Sequence, residues 1–449
     1  MADVDALERI LRSAEDIPPE RAAEMAARLE ETPIQEVVRL VERSTATRAA
    51  VVLRLLSRRR SIAVFDALDA AHQADLIDAL GDRAVYEFFA ELDPDDRVSL
   101  LDELPAEIAG RLLRTLDGSE REITGVVLGY PKGSIGRRMS PEVPHLYEDM
   151  SVDETMDKLR RVADDVETIY TLPIISRDRT LVGVISLREL FTAEGSAGVA
   201  ELMAEPVFAS AHDEAEETAR WFLPLDILAM PIVDDSGRLV GILTFDDAVD
   251  IVEDADSEDT ARSGAHEPLQ QPYLSTPLLR VVRSRIVWLL VLAVSALLTV
   301  QVLDTFEDTL AAAVVLSLFI PLLTGTGGNT GNQAATTVTR ALALGDVRPR
   351  DVLSVAWREV RVGMLLGALL GTIGLGLASL VYGLDIGIVI GSTLFLVCTM
   401  SATVGGVMPI IAKKVGADPA VFSNPFISTL SDATGLIVYF LIAKTVLGL

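Results

Sequence analysis

The sequence predicts a multidomain fold: an all-α superhelical repeat domain, an α/β pair of tandem domains, an acidic connecting helix, and an all-α five-helix transmembrane domain. Three observations predict it. A Leu-Asp unit recurs every 24 residues near the start of the chain, a strand-turn-strand pattern recurs once at an offset of 58, and five apolar runs fill the stretch from Thr276 to Leu449. The boundaries are then 1–130 for the helical repeats, 131–250 for the α/β pair, 245–275 for the connector and 276–449 for the transmembrane part. A chain of 449 residues is too long for one ordinary domain.

Charge divides with the same boundaries. From Thr276 on, 11 basic residues face 9 acidic ones, a net of +2; residues 1–275 hold 28 basic against 57 acidic, a net of −29. A half this acidic is not expected to bind nucleic acid and would attract cations. The same balance, with only five lysines, also fits an acidic, salt-adapted proteome, so bulk charge assigns nothing by itself. The single Cys398 excludes an internal disulfide framework or thiolate metal site, and His72, His145, His212 and His266 lack ligand spacing. The opening MADVDALERI has neither a basic n-region nor an apolar core, so no cleaved signal is expected and the first half is expected in the cytosol.

Residues 1–130 carry apolar positions at three- and four-residue spacing throughout, the mark of helices. Leu68-Asp69, Leu92-Asp93 and Leu116-Asp117 each open a similar unit, and stacked units of this period make a helical solenoid. Asp suits an N-cap, and Pro94 behind Asp93 suits the first helical position. For Asp93, Asp95 and Asp96, helix capping and a metal contact both stay open.

From Arg138 to Asp250 short apolar strands alternate with helices. TLPIISRDRTLVGVISLREL and AMPIVDDSGRLVGILTFDDA align with Pro173 on Pro231 and Gly183 on Gly241. This pattern resembles a tandem pair of cystathionine-β-synthase-type (CBS) domains, and the resemblance implies adenine-nucleotide binding, with ATP as a candidate ligand. That family contacts ribose through Ser/Thr-x-x-Asp. The second copy keeps it as Thr244 to Asp247, and the first departs from it as Ser186-Leu-Arg-Glu189. Tyr170 is placed to stack a base and Arg188 to meet phosphate.

The connector holds eight acids between Asp246 and Asp259, and Asp247, Asp250, Asp254 and Glu258 fall on one helical face. Like charges at that spacing repel. Either this is a solvated linker helix or a helix that settles only when cations neutralise it.

The apolar runs are Ile286–Leu303, Leu310–Leu323, Val362–Tyr382, Ile386–Ala412 and Phe426–Ala443. All but the second are long enough to span about 30 Å of hydrocarbon. The second runs into GTGGNTGNQ, so a discontinuous helix opening into a glycine-rich loop is expected there. Basic residues before the first span, after the second and after the fourth predict an inside N-terminus and an outside C-terminus, in a cell's plasma membrane. Gly363, Gly367 and Gly371 form a small-residue ridge for close helix contact.

Asp432, in SNPFISTLSDATG, is the one ionisable residue well inside a predicted span, roughly 10 Å in from Pro425. An intramembrane carboxylate is costly unless solvated or paired, and no span offers Lys or Arg to pair with it. A cation is the expected partner, with a protonated carboxyl bonded to a backbone carbonyl as the alternative. Asn424, Thr429 and Ser431 nearby, with Asn329, Asn332, Thr336 and bare glycine carbonyls in the second span, supply neutral oxygens. That set suits a hard cation, and Mg2+, which keeps several waters, suits one or two carboxylates plus carbonyls. In a twofold dimer two Asp432 carboxylates would face one ion.

Helical repeats, a CBS pair, an acidic connector and five spans carrying GTGGNTGNQ and SNPxxxTLSDxTG resemble the MgtE family of magnesium channels over nearly the whole chain. The resemblance implies a homodimer with its pore between subunits, Mg2+ held at Asp432, and backbone near Gly325 and Asn332 helping to hold the hydrated ion. It further implies a plug helix held shut by intracellular Mg2+ at Asp226, Asp247, Asp250, Glu258, Asp259 and Asp418. The basic SRRR at 57–60 departs from the acids expected in the helical domain. Two other readings stand beside a Mg2+-gated Mg2+ channel: a proton-coupled transporter of divalent metals such as Co2+ or Mn2+, and a membrane-anchored nucleotide receptor that transports nothing. No nucleophile, base and orienting group occur together, so an enzyme is not expected.

Overall fold

The computed structural model describes residues 19–80, 82–269, 276, 278–416 and 424–449. They form two compact units, the described residues up to 255 with 269 and 276, and 256–268 with the described residues from 278 on.

Among the described residues the first unit opens with nine helices: α1 (Pro19–Glu31), α2 (Ile34–Glu42), α3 (Ala46–Leu55), α4 (Arg58–Asp66), α5 (Ala70–Ala79), α6 (Asp82–Glu91), α7 (Pro94–Glu103), α8 (Ala106–Thr115) and α9 (Gly118–Leu128). Odd helices stack on odd and even on even, so the 24-residue unit is one helical hairpin and the domain is the expected solenoid. Asp69 and Asp117 cap α5 and α9, accepting from the backbone N–H of His72 and Glu120 at 2.8 and 2.9 Å. Asp93 holds the same position before α7 but makes no cap bond.

The repeat has a second signature, in side chains that close the preceding helix. Gln73 donates to Phe65 O at 2.9 Å, Arg97 to Phe89 O at 3.1 Å and Arg121 to Leu113 O at 3.0 Å, donors and acceptors alike at the 24-residue period. Each satisfies a C-terminal carbonyl that its own helix cannot. Arg97 is 4% exposed, also donates to Ala90 O and is paired with Glu120. Arg97→Ala leaves that acid and two carbonyls without partners, and is expected to cost about 3 kcal/mol of this domain's stability. Limited proteolysis of the full chain should show α6–α9 cleaved first.

Two three-stranded sheets follow, each with a parallel and an antiparallel pair. Strands β1 (Leu146–Tyr147), β2 (Thr171–Ile175) and β3 (Leu181–Ser186) form one, and β4 (Ala209–Ser210), β5 (Ala229–Val233) and β6 (Leu239–Thr244) the other. The registers repeat at the 58-residue offset, Thr171 opposite Ser186 and Ala229 opposite Thr244, with the same irregularity at Ile174/Ile175 and Ile232/Val233. Helices α10 (Val152–Val162), α11 (Leu187–Thr192), α12 (Val199–Leu202) and α13 (Ala215–Phe222) pack around them. Arg137, 9% exposed, grips Asp102 of α7 with two bonds of 2.8 and 3.0 Å, tying the solenoid to the sheet pair. The connector is helix α14 (Phe245–Ser263), shorter than the 245–275 expected.

In the second unit the tail of the connector docks on the first long helix, α15 (Leu278–Thr305). Glu267 donates its N–H to Ser284 O at 3.0 Å, and Trp288 Nε1 donates to Glu267 Oε1 at 2.9 Å. The rest is α16 (Glu307–Ala312), a 3-10 segment Val314–Phe319, α17 (Ile320–Ala343), α18 (Val352–Tyr382), α19 (Leu384–Lys414) and α20 (Asn424–Leu447). Among the described residues four helices are long and apolar enough to cross a membrane: α15, α18 with the 3-10 turn before it, α19 and α20. With 24 residues α17 is about 36 Å long, enough to be a fifth crossing by length, while its Gly, Thr and Asn content keeps it less apolar.

One expectation fails here. The stretch GTGGNTGNQ is not a loop but the middle of α17, and the irregular backbone lies earlier, at Ala313 and the 3-10 segment. Local propensity, which charges each helical glycine roughly 1 kcal/mol, is overridden by packing. A Cβ at Gly331 would lie 2.7 Å from the Ile427 side chain, one at Gly327 2.7 Å from Val397, and one at Gly405 of α19 would collide with the Gly331 carbonyl. The glycines let three helices touch backbone to backbone. The break is anchored instead by Tyr439 of α20, fully buried, whose hydroxyl donates to Leu316 O at 2.9 Å. The ridge Gly363, Gly367 and Gly371 makes the close contact expected of it, against α19.

Candidate functional site

Three places gather the chemistry. The first is in α17 and α20. Gly325, Asn329, Asn332 and Thr336 share one face of α17, three and four residues apart, while Gly327, Gly328, Gly331, Ala335 and Val338 are buried on the other. Asn332 Nδ2 donates to Ser428 Oγ at 2.9 Å, and Ser428 lies one turn before the half-buried Asp432 on α20. The bond fastens the polar face of α17 to α20 one helical turn before Asp432. Asn332 Oδ1 and the hydroxyls of Ser401 and Ser431 are buried without hydrogen-bond partners, so the α17–α19–α20 junction has acceptor capacity to spare. Gly325 faces open space and Asn329 is exposed. Asn424 begins α20, its side chain outside the described residues. Ser428 was missed in the sequence, although it precedes Asp432 by one helical turn.

The second is an acidic cleft of about 500 Å3 in the first unit. Glu42, Asp66, Asp69, Asp95 and Asp96 line it from the solenoid; Asp246, Asp247, Asp250, Glu253 and Asp254 line it from α14. Among the described residues Arg138 is the one base in the lining, 3.6 Å from Asp254. Asp95 is 7% exposed and its Oδ1 has no partner. Burial, with Asp96 and Asp247 close by, pushes the Asp95 carboxyl well above its ordinary range. Burial and then Asp66 and Asp247 lift Asp96 to about 7; burial and Asp247 lift the neighbouring Glu167 to about 7; burial and Asp247 lift Asp250 to about 6. Asp69 is the exception: burial works against it, but hydrogen bonds from the His72 ring and backbone keep it low. Among the described residues no three carboxylates converge tightly enough to hold a bare ion. An orphaned buried carboxylate oxygen and mutually repelling acids fit a divalent cation that keeps its waters and bridges the two walls.

Of the regulatory acids expected, Asp95, Asp247 and Asp250 line this cleft, and Asp93 acts on it through its charge on Asp96 and Asp247. Asp226 does not line it; it ends a 3-10 turn in the left-handed conformation (φ 58°) that Asp tolerates. Glu258 is paired with Arg262 further along α14. Asp418 lies outside the described residues. Glu42, Asp66 and Asp69 were missed because only the fold brings three solenoid turns to one edge.

The third place is a largely apolar cleft of about 680 Å3 between the two sheet copies, lined by Tyr170, Arg188 and Phe191 of the first copy and Leu228 of the second. Tyr170 and Arg188 both line it. Thr244 does not join them: it is 7% exposed and its hydroxyl is bonded to Asp247, which belongs to the acidic cleft.

Comparison with known proteins agrees with this division. Residues 320–442 match the family model MgtE, described as a divalent cation transporter; 32–133 match the MgtE intracellular N domain, and 133–196 and 199–254 match the CBS domain. The chain is 34% identical to the magnesium transporter MgtE of Thermus thermophilus over 93% of its own length and 94% of that protein's. It is 32% identical to the magnesium transporter MgtE of Bacillus subtilis over 79% and 78%. Among solved structures it is similar to the cytosolic domain of the Mg2+ channel MgtE in complex with ATP, at 33% identity and a TM-score of 0.48, covering 51% of this chain and 93% of that one.

Proposed function

The chain belongs to the MgtE family of magnesium transporters, and from that premise we propose that it is a Mg2+-selective channel closed by Mg2+ on its cytosolic side. The observation that carries the pore reading is the Asn332–Ser428 bond, which joins the amide and carbonyl face of α17 to α20 one helical turn before Asp432. A hydrated Mg2+ would be held there by one carboxylate and by acceptors for its waters, with Gly325, Asn329 and Asn424 as the remaining contacts. The polar face of α17 is exposed in the single chain, which supports a pore completed by a second subunit. The N-terminus is placed inside and the C-terminus outside by the basic residues flanking the spans.

Gating follows from the acidic cleft. Without cations the walls repel; with Mg2+ between them α14 is drawn to the solenoid, and a ligand that binds the closed arrangement better shifts the population toward it. Holding Asp96 at about 7 instead of 3.8 corresponds to roughly 4 kcal/mol before solvent screening. Moving a gate from almost always open to almost always closed takes about 5.5 kcal/mol of differential binding. Asp226, Glu258, Asp259 and Asp418 are assigned to further regulatory Mg2+ binding, and the cleft at Tyr170 and Arg188 to an adenine nucleotide, ATP in the first instance.

A proton-coupled carrier would use Asp432 as a relay. Mg2+ uptake into proteoliposomes is expected to continue at the same rate once an ionophore collapses the proton gradient, with the electrical potential held constant. Uptake that stops with the gradient would make the chain a coupled transporter.

A further inference from the structure

Packing fixes which way α18 faces. Gly363, Gly367 and Gly371 are buried against α19, and one turn earlier Glu359 turns the same way, its Cγ 2.5 Å from where a Cβ on Gly406 would stand. The opposite side is uncovered among the described residues. From Leu353 to Val381 every fourth residue is exposed there, and all of them are apolar except Arg361. Leu353 is 81% exposed and Leu365 74%, so the row is apolar on both sides of the arginine.

The depth of Arg361 follows from helix length. The apolar run Val362–Tyr382 covers about 32 Å as a helix, the thickness of the hydrocarbon layer. Arg361 therefore stands at the edge of that layer, with Trp357 one turn further out, where an indole sits among headgroups. Helical side chains lean toward the N-terminus of their helix, which for α18 is the headgroup side. The arginine does so: its Nε donates to Trp357 O at 3.3 Å, and its Cζ lies 5.9 Å from the centre of the Trp357 ring. That leaves its two terminal nitrogens for another acceptor. Arg358, exposed and three residues before Arg361, adds a second guanidinium on this side. Among the described residues no carboxylate forms an ion pair with either, the adjacent Glu359 being turned to α19.

A guanidinium at the edge of hydrocarbon is costly without a partner, and its fork matches a phosphate. A second copy docked here about a twofold axis would set like charges against each other, so protein of the same kind is a poor cover. A zwitterionic headgroup brings its own ammonium beside the two arginines; an anionic one does not. We propose that Arg358, Arg361 and Trp357 form a binding site for the phosphodiester of an anionic phospholipid. The site requires only that α18 crosses a membrane and stands apart from the channel reading.

Tryptophan quenching tests it in the full-length chain. Trp221→Phe with Trp288→Phe leaves Trp357 as the one tryptophan. That chain is reconstituted into mixed vesicles of phosphatidylglycerol and phosphatidylcholine, one or the other brominated near the headgroup end of its acyl chains. Competition between the two lipids at Trp357 should favour phosphatidylglycerol by more than about fivefold, the worth of one basic side chain at an anionic surface. Arg358→Gln with Arg361→Gln should bring the preference to within about twofold of none; both residues are exposed, so the variant is expected to fold. Quenching by brominated phosphatidylcholine that persists in this variant checks that α18 still meets lipid. Equal competition in the chain with both arginines, or a preference that survives their replacement, would overturn the proposal. So would a Trp357 that neither brominated lipid quenches, which would mean that protein covers this side of α18.

Discussion

Asp432→Ala is expected to abolish Mg2+ uptake by proteoliposomes, to at least a hundredfold below the unaltered chain. The size follows from what stands beside it. Asp432 is half-buried in α20, and one helical turn before it Ser428 and its partner Asn332, bonded to each other at 2.9 Å, offer only neutral oxygens. Removing the one charge leaves the ion to be dehydrated by dipoles alone, and losing one carboxylate contact to a divalent ion in a low-dielectric site costs about 3 kcal/mol or more. Asp432→Asn separates charge from shape: it keeps the side chain's size and should be nearly as inactive. Flux near the unaltered level in the asparagine variant would mean that the oxygen lining, not the carboxylate, carries the ion.

The second large effect is expected in the acidic cleft. Asp95→Asn combined with Asp96→Asn removes the two solenoid carboxylates pushed furthest from their ordinary range. In the unaltered chain Mg2+ should protect residues between α4 and α14 from proteolysis. In the double variant the digestion pattern without Mg2+ should already resemble the protected one, and added Mg2+ should change it little. An unaltered Mg2+ response in that variant would move the sensor elsewhere.

The same groups fix the sign of a pH effect. Asp96 and Glu167 at about 7 and Asp250 at about 6 bind protons more tightly folded than unfolded, so the folded unit gains stability as pH falls through that range. Without Mg2+, protection should therefore be greater at pH 6 than at pH 8. Saturating Mg2+ should reduce or reverse the difference, because a bound cation favours the ionised carboxylates.

Much of this was legible in the residues. The 58-residue offset predicted two copies of strand, turn, strand and helix, and the two sheets carry the copies in the same register, Thr171 with Ser186 and Ala229 with Thr244. The 24-residue period predicted the solenoid through Asp69 and Asp117, whose capping is a local matter. What stayed hidden is what depends on neighbours far along the chain. Glycines in GTGGNTGNQ read as a break because propensity is local, and only the backbones of α19 and α20 reveal that side chains there would have no room. Asp93 looks like Asp69 in sequence, but it makes no cap bond and stands among Arg97, Glu120 and the acids of the cleft. Glu42 and Asp66 join the cleft only because helices α2 and α4 end at the same edge.

Single-channel recording from the full-length protein in planar bilayers, with Mg2+ as charge carrier and cytosolic Mg2+ varied, tests the central claim most directly. Discrete Mg2+ currents are expected, with an open probability that falls steeply as cytosolic Mg2+ rises and a unit conductance that does not. Currents whose open probability is the same with and without cytosolic Mg2+, or Mg2+ uptake without any resolvable current, would contradict a channel closed by the ion it conducts.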